Sequence, residues 1–107
     1  MKTTKAILII VSLMFVPAVF ADAGEDLFKT KCAMCHGQMG NAKTPMAQKQ
    51  GLKDFASPEV QKQTDAELID VIANGRGAKK AAHAFKTKGL TDDQIKSVVA
   101  YIRTLKK

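Results

Sequence analysis

The sequence predicts an all-α fold. Two stretches, "TDAE" and "TDDQ", each begin with a threonine and place Glu or Gln three residues later. Each then runs into apolar residues spaced three and four apart. A third stretch, "AGEDLFKTKCAMC", carries acidic residues near its start and apolar residues one turn apart. No segment alternates convincingly as a strand.

The elements follow in chain order. Lys2 and Lys5 precede the apolar run "AILIIVSLMFV", Ala6 to Val16, and Pro17 leads into the small-residue pattern "VFA". This is the order of a secretory leader, with cleavage expected after Ala21. The run is shorter than the roughly 20 residues a spanning helix needs, so no membrane span is expected after cleavage. Residues 1–21 are thus read as a signal peptide and residues 22–107 as one exported, periplasmic domain. The first helix is expected over Ala23–Cys35, with Leu27 and Phe28 facing the same interior as the cysteines.

Between His36 and Thr64 the chain reads "GQMGNAKTP" and "GLKDFASP", without a long periodic helix. "PMAQKQ" can form one short turn. A loop this long fits a simple bundle poorly, and fits better if it folds over something that is not protein. The second helix starts at Thr64, whose partner in a capping box is Glu67. Leu68, Ile69, Val71 and Ile72 form its apolar stripe, and Gly75 stops it. The third helix starts at Thr91, boxed with Gln94. Ile95, Val98, Val99, Ile102 and Leu105 mark one face, and Lys106 and Lys107 suit its C-terminal end.

The chemistry is concentrated in "CAMCH", Cys32 to His36, which holds both cysteines and one of the two histidines. A redox dithiol would place this pair at a helix start after a strand, and no such strand is present. A zinc site would have the right ligand types in Cys32, Cys35, His36 and His83, but His36 adjoins Cys35, unlike zinc-finger spacing. Haem attachment fits every element. Cys32 and Cys35 can each add across a vinyl group, and the next residue, His36, then lies beneath the iron. The leader agrees, because attachment of this kind follows export. A bridge between the two cysteines would close a tiny loop and add little stability to so short a domain, whereas a bound cofactor gives the core a large apolar surface to wrap.

With these residues the chain resembles the small monohaem class I c-type cytochromes. The likeness runs from the helix ending in "CAMCHG" through "TPMAQKQGLKDF" and "TDAELIDVIANGRG" to "LTDDQIKSVVAYIRTLKK". It implies three main helices and loops around one covalently attached haem c. It further implies that the first and last helices cross where Phe28 meets Tyr101, and that the Pro45 carbonyl orients the His36 ring.

One feature departs from the family pattern. Its distal ligand is usually a methionine in Met-Pro-x-Phe or Met-Pro-x-Tyr. Here "AHAF" puts Ala82 in the methionine slot and His83 in the proline slot, ahead of Phe85. His83 is the leading distal ligand, because imidazole binds iron well and the Gly- and Ala-rich "GRGAKKAA" lets the backbone shift by one residue. Met39 or Met46, Lys79 or Lys80, or an open sixth position are the alternatives. Met34, inside the attachment loop, has no reason to reach the distal face.

Removing Lys2 and Lys5 with the leader lowers the formal charge from +7 to +5. The lysines are scattered and not interleaved with aromatics, which excludes a nucleic-acid reader. A basic surface favours acidic redox partners. The expected function is a monomeric electron carrier rather than an enzyme. The competing function is a haem protein whose labile sixth site takes a small gas or peroxide, with weak peroxidase-like activity.

Overall fold

The computed structural model describes residues 18–106. The described chain is helical and contains no strand. It comprises α1 (Ala18–Lys31), α2 (Ala33–His36), α3 (Pro45–Gln50), α4 (Pro58–Gln61), α5 (Asp65–Asn74), a 3-10 turn (Gly77–Ala82) and α6 (Asp92–Thr104). The expected leader lies mostly outside these residues, and so does Lys107. The helix α1 begins at Ala18, upstream of the expected cleavage point, so Glu25 and Asp26 fall mid-helix rather than near its start. It also ends at Lys31 rather than continuing through Cys35, because the backbone at Cys32 stretches to φ −117° before α2 begins.

The core is the crossing of α1 and α6. Phe28 is wholly buried there and packs against the tilted Tyr101 ring, centroids 5.2 Å apart, as the resemblance implies. Phe55 adds an edge contact to Phe28 at 5.8 Å. Ile95, Val98, Val99 and Ile102 are buried on the same face of α6. Removing a side chain of this size from water contributes about 1.5–3 kcal/mol. The helices approach this closely because small residues face one another. A Cβ placed on Gly24 would lie 1.8 Å from the Ser97 carbonyl oxygen.

The caps decide where the helices start. Thr91 accepts from the Gln94 amide at 3.1 Å, and the Gln94 side chain accepts from the Thr91 amide at 2.9 Å, so the box at α6 is complete. At α5 only half of it forms: Thr64 accepts from the Glu67 amide at 3.1 Å, without the return bond. Gly75 ends α5 at φ 75°, donating to the Val71 carbonyl at 2.8 Å. The expected turn at "PMAQKQ" is α3, started by Thr44 and Pro45 and ended by Gly51 at φ 65°. The turn α4 was not anticipated; Ser57 caps it and Pro58 occupies its first position.

The stripe of α5 is only partly covered by protein. Leu68 is buried, but Ile69, Val71 and Ile72 are half-buried. Leu68, Val71 and Ile72 instead line a cavity, and the long loop from Gly37 to Gln63 folds along its other side.

Candidate functional site

The Cys32–His36 motif is anchored by backbone bonds that span the kink. The Cys32 amide donates to the Phe28 carbonyl at 2.8 Å, and the His36 amide donates to the Cys32 carbonyl at 3.0 Å. Cys32, Cys35 and His36 therefore hang from the end of the helix whose Phe28 is locked in the core. Beyond His36 the chain turns at Gly37, φ 89°, and the Ala42 amide returns to the His36 carbonyl at 3.0 Å. Thr44 then joins two elements, because its hydroxyl donates to the Cys35 carbonyl and accepts from the Ala47 amide.

Phe55 fixes the His36 ring. The two rings stack with centroids 4.6 Å apart and planes 27° apart. Phe55 is held by its own amide, which donates to the Gly40 carbonyl at 2.9 Å, and by Gln61, whose amide group donates to the Phe55 and Ile102 carbonyls. Arg103 of α6 secures the same loop through Asp65 and the Gln61 and Gln63 carbonyls. Gly40 must be glycine here, since its φ is 64° and a Cβ would lie 2.9 Å from both Phe55 and Leu105.

His83 arrives from the opposite side. After the 3-10 turn the Phe85 amide donates to the Ile72 carbonyl at 3.0 Å, and the Lys86 amide to the Ala73 carbonyl at 3.2 Å. These bonds clip the loop to the end of α5 and bury Phe85. Lys88 donates to the Ala81 carbonyl at 2.9 Å and lies 5.0 Å over the Phe85 ring. The His36 and His83 rings then face each other across 6.2 Å, their planes within 17° of parallel.

Burial sets the protonation of the site. It pushes the Cys32 thiol up to about 11, with the neighbouring Cys35 adding to the effect. That is the reverse of a reactive redox thiol. Burial lowers His36 to about 4, helped by His83. Burial, then Lys88, also lowers His83. Both imidazoles are thus held neutral, the form that can donate a lone pair to a metal. No group of three or more His, Cys, Asp or Glu among the described residues could hold a metal ion, which removes the zinc reading.

Two cavities meet at the histidines. One, with about 450 Å³ of empty space, is lined by Lys31, Cys35 and Leu52 among others. The second, about 750 Å³, lies between Phe55, Leu68, Val71 and Ile102. Cys32, His36, His83 and Phe85 border both. A flat apolar group carrying a metal fits this arrangement. Its walls are apolar, its thiols lie at one end, and its two neutral imidazoles face one another.

Other expected residues fall elsewhere. His36 Nδ1 is buried without a hydrogen-bond partner, so the bond from that nitrogen to the Pro45 carbonyl is not formed, and Pro45 starts α3 at the surface. Met34, Met39 and Met46 are all exposed, and none lines either cavity. Lys79 and Lys80 belong to the 3-10 turn. Phe55, Gln61 and Arg103 are the positioning residues that sequence reasoning missed.

A family described as cytochrome c oxidase, cbb3-type, subunit III matches residues 20–102. The chain belongs to the c-type cytochromes. Its fold is similar to that of the solved KustC0563 c-type cytochrome at a TM-score of 0.68, with 33% sequence identity over 78% of this chain and 98% of that one. No curated protein matches the chain significantly. The cytochrome is therefore an electron-transfer haem protein with an all-α cytochrome c fold. Its cofactor is covalently attached haem c, and a domain of this size fits one. No described helix is long and apolar enough to cross a membrane.

Proposed function

We propose that this cytochrome is an exported, monomeric one-electron shuttle whose haem is joined to Cys32 and Cys35 and ligated by His36 and His83. The observation that carries the reading is the pair of neutral, half-buried rings 6.2 Å apart with nearly parallel planes. The haem supplies the one-electron couple. The protein supplies the two thiols that tether it, the imidazoles that hold its metal, and an apolar wall that keeps water from it. Imidazole donates more strongly than a thioether and favours ferric iron, so the potential lies below that of a His/Met relative. That suits more reducing partners. The formal charge of +5 after loss of the leader steers acidic redox proteins toward it.

One observation favours the second reading, a labile distal side that admits a small gas or peroxide. Ala84, directly after His83, has φ 55°. An alanine held in that region costs roughly 1–2 kcal/mol, which release of the loop would recover. The absorption spectrum of the haem-loaded protein, oxidised and reduced, with and without carbon monoxide, decides between the two. The shuttle gives a low-spin spectrum in both states, without the weak far-red band of iron–methionine ligation and unmoved by carbon monoxide. A high-spin spectrum that shifts at once with carbon monoxide overturns the His83 assignment and favours the gas or peroxide reading.

A further inference from the structure

We propose that Arg76, assisted by Gln63, is the anchor for the haem propionates. The inference rests on attachment of the haem at Cys32 and Cys35, and not on His83 ligation. The larger cavity is walled almost entirely by carbon, apart from the site histidines and Cys32. Two polar side chains break that wall, Gln63 and Arg76. Neither side chain makes a hydrogen bond or ion pair among the described residues. Other nearby cations are committed or misplaced. Arg103 is bound to Asp65 and to the Gln61 and Gln63 carbonyls, and Lys88 is bound to the Ala81 carbonyl. Lys31 borders the other cavity, beside Cys35.

The chemistry of the cofactor makes this placement informative. Haem carries its vinyl groups along one edge and its two propionates along the opposite edge. Once both vinyls are joined to the cysteines, the carboxylates must emerge away from them. Cys35 borders only the smaller cavity, and Arg76 and Gln63 border only the larger one. A carboxylate entering an apolar wall is costly unless a cation or donor meets it. A guanidinium suits that task, because its fork can bind a carboxylate through two parallel bonds. Arg76 is an exposed residue that borders the cavity. It lies between Gly75 at φ 75° and Gly77 at φ 59°.

The test compares haem-loaded wild type with R76Q, R76K and Q63L. The propionate carboxyls are titrated by carbon-13 NMR on protein carrying labelled haem, and the reduction potential is followed over the same pH range. An adjacent cation lowers a carboxylate's midpoint by roughly 1–3 pH units, so R76Q should raise the midpoint of one propionate by that amount. The pH-dependent step in the potential should move with it. R76K should restore most of the shift, and Q63L should give a smaller shift of the same sign. Unchanged propionate midpoints in R76Q overturn the proposal. The low-spin spectrum, recorded on the same samples, reports distal ligation separately. An open-site spectrum with an Arg76-dependent titration sustains this inference while removing His83 from the iron. A chain that carries no covalent haem overturns both.

Discussion

Gly24→Ala sets two effects of opposite sign against each other. In a helix interior, alanine is favoured over glycine by about 1 kcal/mol. On propensity alone the variant would be more stable. The crossing says otherwise. The new Cβ would lie 1.8 Å from the Ser97 carbonyl oxygen and 2.4 Å from its carbon, and both atoms are backbone in the middle of α6. Neither can rotate away. To reach ordinary contact near 3.4 Å, the helices must part by about 1.5 Å. A gap of even 0.5–1 Å forfeits about a quarter to a half of each dispersion interaction across it, and the wholly buried Phe28 packs across this same seam. Overpacking typically costs about 1–3 kcal/mol, and more where backbone must move. After the propensity gain, a net loss of about 3 kcal/mol is expected, on the order of 100-fold in the folding equilibrium. Urea unfolding of the haem-loaded protein, followed by circular dichroism at neutral pH, measures it. Ala23→Gly, at an exposed position of the same helix, gives the scale of the propensity effect alone. A Gly24→Ala protein as stable as the wild type would refute the close crossing.

Other perturbations report on the site. Arg103→Ala removes the donor to the Gln61 and Gln63 carbonyls and should cost about 1.5–3 kcal/mol in the same urea assay, loosening the loop that carries Phe55. A loss within the error of that assay would mean the loop is held by other bonds. Acid should destabilise the fold. In the haem-free chain burial lowers His36 to about 4 when folded against about 6.5 when unfolded, so the unfolded haem-free chain binds more protons between those values and its stability falls as pH drops through that window. The effect reaches at most about 3 kcal/mol from His36, and the lowered His83 acts in the same direction. A urea midpoint of the haem-free chain unchanged between pH 7 and 4.5 would contradict it. His83→Met should raise the reduction potential, because a thioether favours ferrous iron; an unchanged potential in a voltammetric titration would count against His83 as ligand.

What was legible in the sequence was what local pattern encodes. The helix α6 was readable because Thr91, Gln94 and the apolar residues that follow specify start and face within four residues of one another. The same holds for the start of α5 and for the turn at Pro45. The motif at Cys32–His36 and the unusual His83 were readable because their chemistry depends on residue type and adjacency. The break at Cys32 was not, since nothing in "TKCAMC" opposes a continuous helix. The partial exposure of Val71 and Ile72 was not legible, because an apolar stripe packs equally well against protein or cofactor. Phe55 and Arg103 were missed for a different reason. Their roles depend on partners far along the chain: Arg103 reaches residues 38–42 positions away, and no window of sequence contains both ends.

The crossing at Gly24 and Phe28 has one more consequence, and it concerns the order of folding. Each of these residues meets a partner about seventy positions away, Ser97 and Tyr101. Most of the residues that line the cavity lie inside the loop these contacts close, with Ile102 just beyond it, so the two ends of the domain act as a clasp. Closing a loop of that length is entropically costly, and contacts so distant in sequence form slowly. Until α6 docks, the cysteines lie on a helix with its main packing partner absent, and the thiols are open to whatever must reach them. Once it docks, the same contact seals Phe28 behind the motif. A single late event thus separates a chain that can receive its cofactor from one that retains it.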